Sequence, residues 1–249
     1  MSSWPLSSDF ARMLKTPQAA FRDPALRECT VELNHLGQPK PRSGNFATVY
    51  KALRPDGGEM AIRTFNRRSE ERRERYRIVS EYLEQRTLHS LVKFEYDERG
   101  VRSGSDGKFY PLVTMQWVPG VTLFEWARDR CREGYQEALA IAADVWLQVV
   151  RELAEHGVVH GDLQHGNVMV SSEGYFKLVD YDCLGVPGLM GQKNLEIGME
   201  PYQHPGRGAD TTLFAGLDNF SALVIYVALR ALAAAPHLWL TYVDHAGYD

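Results

Sequence analysis

The chain has 249 residues, which is enough for one large domain or for two smaller lobes. Apolar residues make up 44% of it and charged residues 24%, a globular composition that excludes a disordered tail, a collagen and a disulfide scaffold. The net charge of −4 excludes a global basic field of the kind that attracts nucleic acids and anionic membranes. We therefore expect neither nucleic acid nor a membrane as a partner.

Cysteine usage and the apolar stretches bear on the compartment. Cys29, Cys131 and Cys183 include no Cys-x-x-Cys pair, and such a sparse, odd set favours a reducing environment. The opening residues, MSSWPLSSDFARMLK, lack the continuous apolar region of a signal peptide. The longest apolar stretch, residues 222–235, is interrupted by Arg230 and is too short to span a bilayer. We expect a soluble, cytoplasmic protein.

The first half of the chain is predicted to be rich in β-structure. Residues 1–40 contain several prolines and are expected to wrap a domain rather than to form a core of their own. Residues 41–65 follow as strands interrupted by the turn PDGG. Tyr76, Val79 and Leu83 then fall at helical spacing, which predicts an amphipathic helix with a charged outer face. A second strand pair, LVKFEY and KFYPLVTMQWV, comes next.

The second half is predicted to be mainly helical, with a boundary near residue 118. A long buried helix is expected over residues 137–155, and Gly157 is its predicted stop. The pieces VMV and FKLV, joined by SSEG, predict a small hairpin. A last helix is expected over residues 217–234.

The clearest chemical signal is the run HGDLQHGNVMVSSEGYFKLVDYD, residues 160–182. Asp162 and Asn167 lie five residues apart in a predicted loop, and Asp180 follows at the end of a predicted strand. Oxygen ligands that converge from a loop and a strand end suit Mg²⁺ carrying the phosphates of a nucleotide. A further carboxylate in the same loop can orient and deprotonate a hydroxyl group.

This spacing resembles the protein-kinase-like superfamily, whose catalytic loop reads H-x-D-x-x-x-x-N and whose metal strand ends in Asp-x-Gly. The resemblance, to a bacterial serine/threonine kinase-like protein, covers most of the chain. It implies a bilobal α+β fold with an antiparallel β-sheet N-lobe, one main N-lobe helix and a mostly helical C-lobe. Residues 1–40 would be an N-terminal extension packed on the domain, residues 41–118 the N-lobe, and residues 119–249 a C-lobe that lacks the last helices of the family.

The resemblance also implies roles for the residues of the loop. Asp162 would be the catalytic base, Asn167 and Asp180 the Mg²⁺ ligands, and ATP and Mg²⁺ the cofactors. Asp218 would start the central buried helix and hydrogen-bond the backbone of the catalytic loop. His160 is expected to be a buried, structural histidine.

The nucleotide contacts implied by the resemblance lie mostly in the first half of the chain. SGNFATVYKA resembles the glycine-rich loop, although only one of the three family glycines is present. The run AIR matches the family's Ala-x-Lys with Arg63 in place of Lys, and Glu81 is its expected partner, ahead of Glu84. MQWV resembles the hinge whose backbone binds adenine. The implied nucleotide-binding residues are Gly44, Asn45, Phe46, Val49, Ala61, Arg63, Met115, Gln116 and Val118.

Two departures from the family pattern concern regulation. Gly161 stands where the family usually has an Arg that holds a phosphorylated activation loop, and residues 183–200 contain no Ser, Thr or Tyr. The two losses are mutually consistent. GMEPYQHPG, from Gly198, resembles the end of an activation segment, with Gly206 in place of its final Glu.

Three functions stay open. An ATP- and Mg²⁺-dependent protein serine/threonine kinase is favoured by the set Asp162, Asn167 and Asp180. A nucleotide-binding pseudokinase or partner-binding scaffold is supported by Arg63. A small-molecule kinase of the aminoglycoside phosphotransferase type is supported by the run HGDLQHGN. The expected partner is a protein substrate or signalling partner, and the sequence leaves the oligomeric state open.

Overall fold

The structure is a computed structural model of the chain that describes residues 4–43 and 47–244. The chain divides into two compact units. The first unit comprises Met1–Ser80 and Lys93–Trp117, and the second comprises Glu81–Val92 and Val118–Asp249. No helix in the described part of the chain is both long enough and apolar enough to cross a membrane.

An antiparallel sheet forms the centre of the first unit. Its strands pair in the order β1-β3-β4-β6-β5, and β2 pairs with β3. They are β1 (Thr30–Val31), β2 (Pro41–Ser43), β3 (Ala47–Leu53), β4 (Glu59–Phe65), β5 (Phe94–Arg102) and β6 (Phe109–Gln116). The predicted PDGG turn joins β3 to β4, because its residues, 55–58, fill the gap between the two strands.

The N-terminal segment contributes to the core of the first unit. It forms three short helices, α1 (Ser7–Leu14), α2 (Pro17–Ala20) and α3 (Pro24–Arg27). Phe10 and Leu14, one helical turn apart on α1, are fully buried and share a core cluster with Tyr50 and Ile62 of the sheet. Burying a side chain of this size contributes about 1.5–3 kcal/mol. The segment therefore packs against the sheet and shares its core rather than forming a core of its own, which is compatible with the predicted N-terminal extension. Its bounds, residues 1–40, stay a prediction.

The predicted amphipathic helix is present as α4 (Glu70–Glu84). Tyr76 and Val79 are buried as expected, and the Tyr76 ring meets the Phe65 ring edge-on at 5.3 Å. Arg72 and Arg75 are buried as well, so the inner face of the helix carries charged residues in addition to the predicted charged outer face. The reason is helical spacing, since positions 72, 75, 76 and 79 form one stripe of the helix whatever their polarity.

The second unit is mainly helical around a small sheet. Its helices are α5 (Leu123–Glu133), α6 (Gln136–Glu155) and α7 (Asn219–Ala234), and its strands, in the order β7-β8-β9, are β7 (Val121–Thr122), β8 (Val168–Val170) and β9 (Phe176–Leu178). Trp146 of α6 is fully buried and donates its indole N–H to the carbonyl of Ala222 on α7 at 2.9 Å. The predicted helices, the hairpin of β8 and β9, and the stop at Gly157 (φ 60°) are confirmed.

The segment Glu81–Val92 packs with the second unit. Glu152 of α6 accepts the backbone N–H groups of His89 and Ser90 at 2.5 and 2.7 Å. The N–H of Val92 donates to the Tyr181 hydroxyl at 2.6 Å. The predicted N-lobe, residues 41–118, includes this segment, so its bounds differ from those of the first unit. The division into domains stays a prediction.

Candidate active site

The loop that carries Asp162 is fixed at its start by backbone and histidine contacts. Val159 and Gly185 exchange two backbone hydrogen bonds of 2.9 and 2.7 Å. His160 is fully buried, and its Nε2 lies 2.9 Å from the carbonyl oxygen of Val179. Because a carbonyl only accepts, Nε2 carries the proton in this contact. The predicted structural role of His160 is confirmed, and the loop is tied to the strand end that precedes Asp180.

Asp218, directly before α7, accepts hydrogen bonds from the backbone of the same loop. Its two carboxylate oxygens accept the backbone N–H groups of His160 and Gly161, the second at 2.9 Å. Burial raises the pKa of this carboxyl, whereas the N–H donors and the positive charge of Arg207 favour its ionised form. Each oxygen has its own N–H donor, so the carboxylate fits the site. The predicted architectural role of Asp218 is confirmed.

Gly161 is required by the backbone at this point. Its φ is 79°, in the left-handed region, and a Cβ there would lie 2.5 Å from the carbonyl oxygen of Cys183. A side chain at this position would therefore be strained and would clash with backbone. The backbone before Asp162 therefore has no room for the Arg that the family usually has at this position.

Asp162 and Asn167 are brought together. The side-chain amide of Asn167 donates to the carbonyl oxygen of Asp162 at 2.9 Å and to its Oδ2 at 3.0 Å. The other carboxylate oxygen, Oδ1, accepts the backbone N–H of Met199 at 3.1 Å. Because the Asn167 nitrogen is occupied by Asp162, its side-chain oxygen is the atom left to serve as a ligand.

Asp180 lies next to this pair through the backbone. The N–H of Val179 donates to the carbonyl oxygen of Asn167 at 2.9 Å. Asp180 itself has a φ of 65°, and within residues 4–43 and 47–244 it is the only residue other than glycine with a positive φ. Aspartate tolerates this conformation better than most residues, at a cost of about 1–3 kcal/mol. Strained backbone of this kind is concentrated at functional sites.

The end of the segment before α7 lies against the loop. Gly198 has a φ of 88°, and a Cβ there would lie 2.5 Å from Oδ1 of Asp162. The Tyr202 hydroxyl lies 2.5 Å from Nδ1 of His165. Burial lowers the pKa of His165 and raises that of Tyr202 to about 12, so both groups are neutral near pH 7.

The predicted nucleotide-binding residues of the first unit share one face of its sheet. Val49 pairs with Arg63, and Ala61 pairs with Met115. Directly paired residues, and alternate residues along a strand, point to the same side, so these four side chains lie on the same face. Arg63, Ala61 and Met115 are buried, with Arg63 only 6% exposed.

The other predicted contacts have different outcomes. Gly44, Asn45 and Phe46 lie outside the described residues. Gln116 is exposed at the end of β6, and Val118 and Glu81 belong to the second unit. The pairing of Arg63 with Glu81 stays a prediction.

Residues 34–229 match the protein kinase domain family, which is more than half of the chain. The chain belongs to the protein kinase family. The predicted family and α+β fold class are thereby confirmed. Asp162 and Asn167 of this kinase domain fall at the positions of the family's catalytic-loop motif, but their chemical roles stay predictions.

Several known kinases are similar to this kinase domain. Serine/threonine-protein kinase PknL of Mycobacterium tuberculosis is 28% identical over 172 residues, which are 66% of this chain and 40% of PknL. Serine/threonine-protein kinase PksC of Streptomyces coelicolor is 30% identical over 168 residues, 61% of this chain and 29% of PksC. Serine/threonine-protein kinase mos of Gallus gallus is 26% identical over 206 residues, 76% of this chain and 56% of mos. The chain thus spans less than two thirds of each relative.

Sequence reasoning did not identify three contributors to the kinase site. The N–H of Met199 donates to Asp162. The side chain of Arg207 donates to the side chain of Gln203 and to the carbonyl oxygen of Gly161. A backbone N–H leaves no trace in a sequence, since every residue except proline has one. Arg207 could have been noticed only as a cation directly after Gly206, where the family pattern has lost its Glu.

Proposed function

We propose that the chain is a protein serine/threonine kinase that transfers the γ-phosphoryl group of ATP to a protein hydroxyl and depends on Mg²⁺. The observation that carries the proposal is the Asp162 carboxylate, held by Asn167 on one oxygen and by Met199 on the other. Membership of the kinase family supports phosphoryl transfer. The names of the bacterial relatives, PknL and PksC, support Ser and Thr hydroxyls as acceptors.

Asp162 is the base in this proposal. The acceptor hydroxyl oxygen forms a bond to the γ-phosphorus, the bond from that phosphorus to the β–γ bridging oxygen breaks, and ADP leaves. The hydroxyl proton goes to the Asp162 carboxylate. The two hydrogen bonds to Asp162 fix the direction in which the carboxylate faces the acceptor, and orientation of this kind is a large part of catalysis in phosphoryl transfer.

Asn167 and Asp180 would hold the magnesium ion. An amide oxygen and a carboxylate are hard donors that suit Mg²⁺, which usually takes one or two protein ligands and completes its shell with phosphate oxygens and water. The amide of Asn167 is oriented by Asp162 so that its oxygen is the available atom. When bound, Mg²⁺ supplies positive charge that offsets the negative charge of the phosphates.

Arg63 would bind the phosphates from the first unit. It shares a face of the sheet with Val49, Ala61 and Met115, the proposed adenine contacts. Arginine is always charged and binds phosphate bidentately, so it can replace the family's lysine as a phosphate ligand.

The substitution of Arg63 also favours a second candidate, a pseudokinase that binds nucleotide and transfers nothing. Arginine is planar and longer than lysine, so the phosphates must shift to accommodate it, and a displacement near 1 Å can cost on the order of 100-fold in rate. A protein that binds Mg²⁺–ATP without transferring phosphate would support this candidate.

One experiment separates these functions. The purified protein is incubated with Mg²⁺–ATP and a generic protein substrate, phosphorylated residues are identified by mass spectrometry, and nucleotide binding is measured in parallel. We expect phosphoserine and phosphothreonine with the wild type and none with Asp162→Asn, which should still bind nucleotide. Binding without transfer to protein would contradict the proposal. A parallel incubation replaces the protein substrate with an aminoglycoside, and transfer there but not to protein would instead assign a small-molecule kinase.

A further inference from the structure

The segment before α7 is held against the catalytic loop although it lacks the usual means of attachment. Residues 183–200 contain no hydroxyl group that could be phosphorylated. Gly161 offers no side chain, and its φ and its contact with Cys183 leave no room for one. Some other group must therefore fasten Met199, whose N–H contacts Asp162, to the loop.

Arg207 makes such a connection, in addition to the contact between Tyr202 and His165. Its guanidinium donates to the carbonyl oxygen of Gly161 in the catalytic loop and to the side-chain oxygen of Gln203. It also reaches the carbonyl oxygen of Glu196 at 3.4 Å. One side chain thus joins the residue before Asp162 to two positions of the segment. The planar guanidinium, with five N–H donors, suits three acceptors in a way that the compact lysine ammonium does not.

The charge of Arg207 suits this position. Burial lowers the pKa of the guanidinium, while the carboxylates of Asp218 and Asp162 favour its charged form. Arginine stays protonated in proteins, so the contacts are charge-assisted and stronger than neutral hydrogen bonds. Arg207 therefore supplies a permanent positive charge beside the loop.

Gln203 extends from Arg207 to the backbone at Gly198. The Gln203 side chain is only 7% exposed, and its oxygen accepts from Arg207, so its nitrogen points the other way. That nitrogen lies 2.6 Å from the point where a Cβ on Gly198 would stand, and Oδ1 of Asp162 lies 2.5 Å from the same point. The Gln203 nitrogen has no hydrogen-bond partner among the described residues, so Gln203 contacts this stretch by packing alone. Arg207 attaches the stretch of backbone that leads to the Met199 N–H through the carbonyl oxygen of Glu196.

We propose that Arg207 is a positioning residue that holds residues 196–203 on the catalytic loop and thereby orients Asp162 without phosphorylation. It replaces, from within the same segment, the pair of loop arginine and phosphorylated side chain that Gly161 and residues 183–200 cannot form. The proposal rests on the proposed function, since Asp162 is the base of that reaction.

The first test compares Arg207→Ala, Arg207→Lys and the control Arg230→Ala, which removes an exposed arginine of α7. We expect Arg207→Ala to lower kcat for a protein substrate roughly 10- to 100-fold with an unchanged KM for ATP, because an orienting contact is lost. Arg207→Lys should fall between it and the wild type, and Arg230→Ala should equal the wild type. Methylguanidinium in the buffer should restore part of the activity of Arg207→Ala. An unchanged kcat in Arg207→Ala, or an equal loss in Arg230→Ala, would overturn the proposal.

The second test needs no turnover and so separates this proposal from the proposed function. Hydrogen exchange of the Met199 amide is measured in the same variants. We expect faster exchange in Arg207→Ala than in the wild type, intermediate exchange in Arg207→Lys, and no change at the amides of α6. If the wild type transfers no phosphate but these differences appear, the proposed function fails while the holding role of Arg207 stands. Unchanged exchange at Met199 overturns the holding role whatever the activity.

A phosphatase arm tests independence from phosphorylation. Wild-type protein treated with a phosphatase, then freed of it, should keep its kcat and its Met199 exchange rate. A large fall in either quantity would overturn the claim that Arg207 holds the segment without a phosphate.

The lysine variant keeps the test valid if Arg207→Ala does not fold. Wild-type values of both kcat and Met199 exchange in Arg207→Lys would contradict a contact of the guanidinium with three acceptors.

Discussion

Oδ1 of Asp162 accepts the backbone N–H of Met199 at 3.1 Å, which ties the proposed catalytic carboxylate to the segment that precedes α7. The side chain of Met199 is 41% exposed, so its main contribution to the site is this N–H group. A hydrogen bond to a charged acceptor contributes about 1.5–3 kcal/mol, more than one between neutral groups. The orientation of Asp162 therefore depends on where the backbone of this segment lies.

Met199→Pro tests this contact directly, because proline removes the N–H and the φ of Met199, −74°, is already compatible with a proline ring. We expect kcat to fall about 10- to 100-fold, the rate equivalent of losing a charge-assisted hydrogen bond. Met199→Ala keeps the N–H and is the matched control, with kcat near that of the wild type. Steady-state phosphorylation of a protein substrate measures both. Equal rates for the two variants would show that the N–H does not orient Asp162.

The sequence predicted that Asp162, Asn167 and Asp180 lie close together. Asp162 and Asn167 are separated by a short turn, and Asp180 returns beside Asn167 because a hairpin brings it there. The spacing of these residues along the chain is sufficient to predict their proximity. The contacts of Met199 and Arg207 could not be predicted, since the first uses only backbone and the second joins positions 46 residues apart through a carbonyl oxygen.

The packing of α1 and of the inner face of α4 could not be predicted, for a different physical reason. The helix α1 has only eight residues, too few to set a clear periodicity, and tertiary packing against the sheet stabilises its buried residues Phe10 and Leu14. Arg72 and Arg75 are charged, yet they lie on the buried stripe of α4. Long arginine side chains can pack their apolar stems inside while their charges are paired.

Removal of the metal site tests the role of Asp180. Mg²⁺–ATP at about 100 times its Kd should raise the free energy of unfolding of the wild type by about 2.7 kcal/mol, seen as a rise in Tm. Asp180→Asn should lose most of this rise, and it is the preferred variant because asparagine also tolerates the positive φ at this position. Wild-type protein with ATP and EDTA serves as the reference for absent metal. A full Tm shift in Asp180→Asn would remove Asp180 from the metal site.

Asp218 should matter for stability more than any exposed carboxylate. Asp218→Ala leaves the buried N–H groups of His160 and Gly161 without an acceptor, at about 1–3 kcal/mol each, so the free energy of unfolding should fall by about 2–6 kcal/mol. The control Asp210→Ala, at a fully exposed carboxylate, should stay within about 0.5 kcal/mol of the wild type. Urea unfolding followed by circular dichroism measures both. Similar values for the two variants would contradict the architectural role.

Cys131 gives a prediction on pH dependence. Burial raises the pKa of its thiol to about 11, above the value of an unfolded thiol. The unfolded state therefore loses its proton first, so the contribution of Cys131 to stability is complete below about pH 8.5 and declines as the pH rises towards 11. In the folded protein, alkylation of Cys131 should be slow at pH 8 and rise about tenfold per pH unit up to pH 10. Mass spectrometry of alkylated peptides, with urea-unfolded protein as control, measures this. Equal labelling rates in folded and unfolded protein would contradict it.

Arg63 decides between a kinase and a nucleotide-binding pseudokinase. If Arg63 binds the phosphates, Arg63→Ala should weaken binding of Mg²⁺–ATP and abolish transfer, whereas Arg54→Ala, at an exposed arginine of the β3–β4 turn, should do neither. Arg63→Lys should transfer phosphate at least as fast as the wild type, and up to roughly 100 times faster. Lysine removes the displacement of the phosphates that the longer guanidinium imposes. Single-turnover phosphotransfer and nucleotide binding are measured for all four proteins. If the wild type and Arg63→Lys both bind Mg²⁺–ATP yet transfer phosphate to no acceptor, the pseudokinase is the correct assignment. If Arg63→Ala is as active as the wild type, Arg63 is not the phosphate ligand, and the equivalence of the run AIR with the family's Ala-x-Lys is wrong.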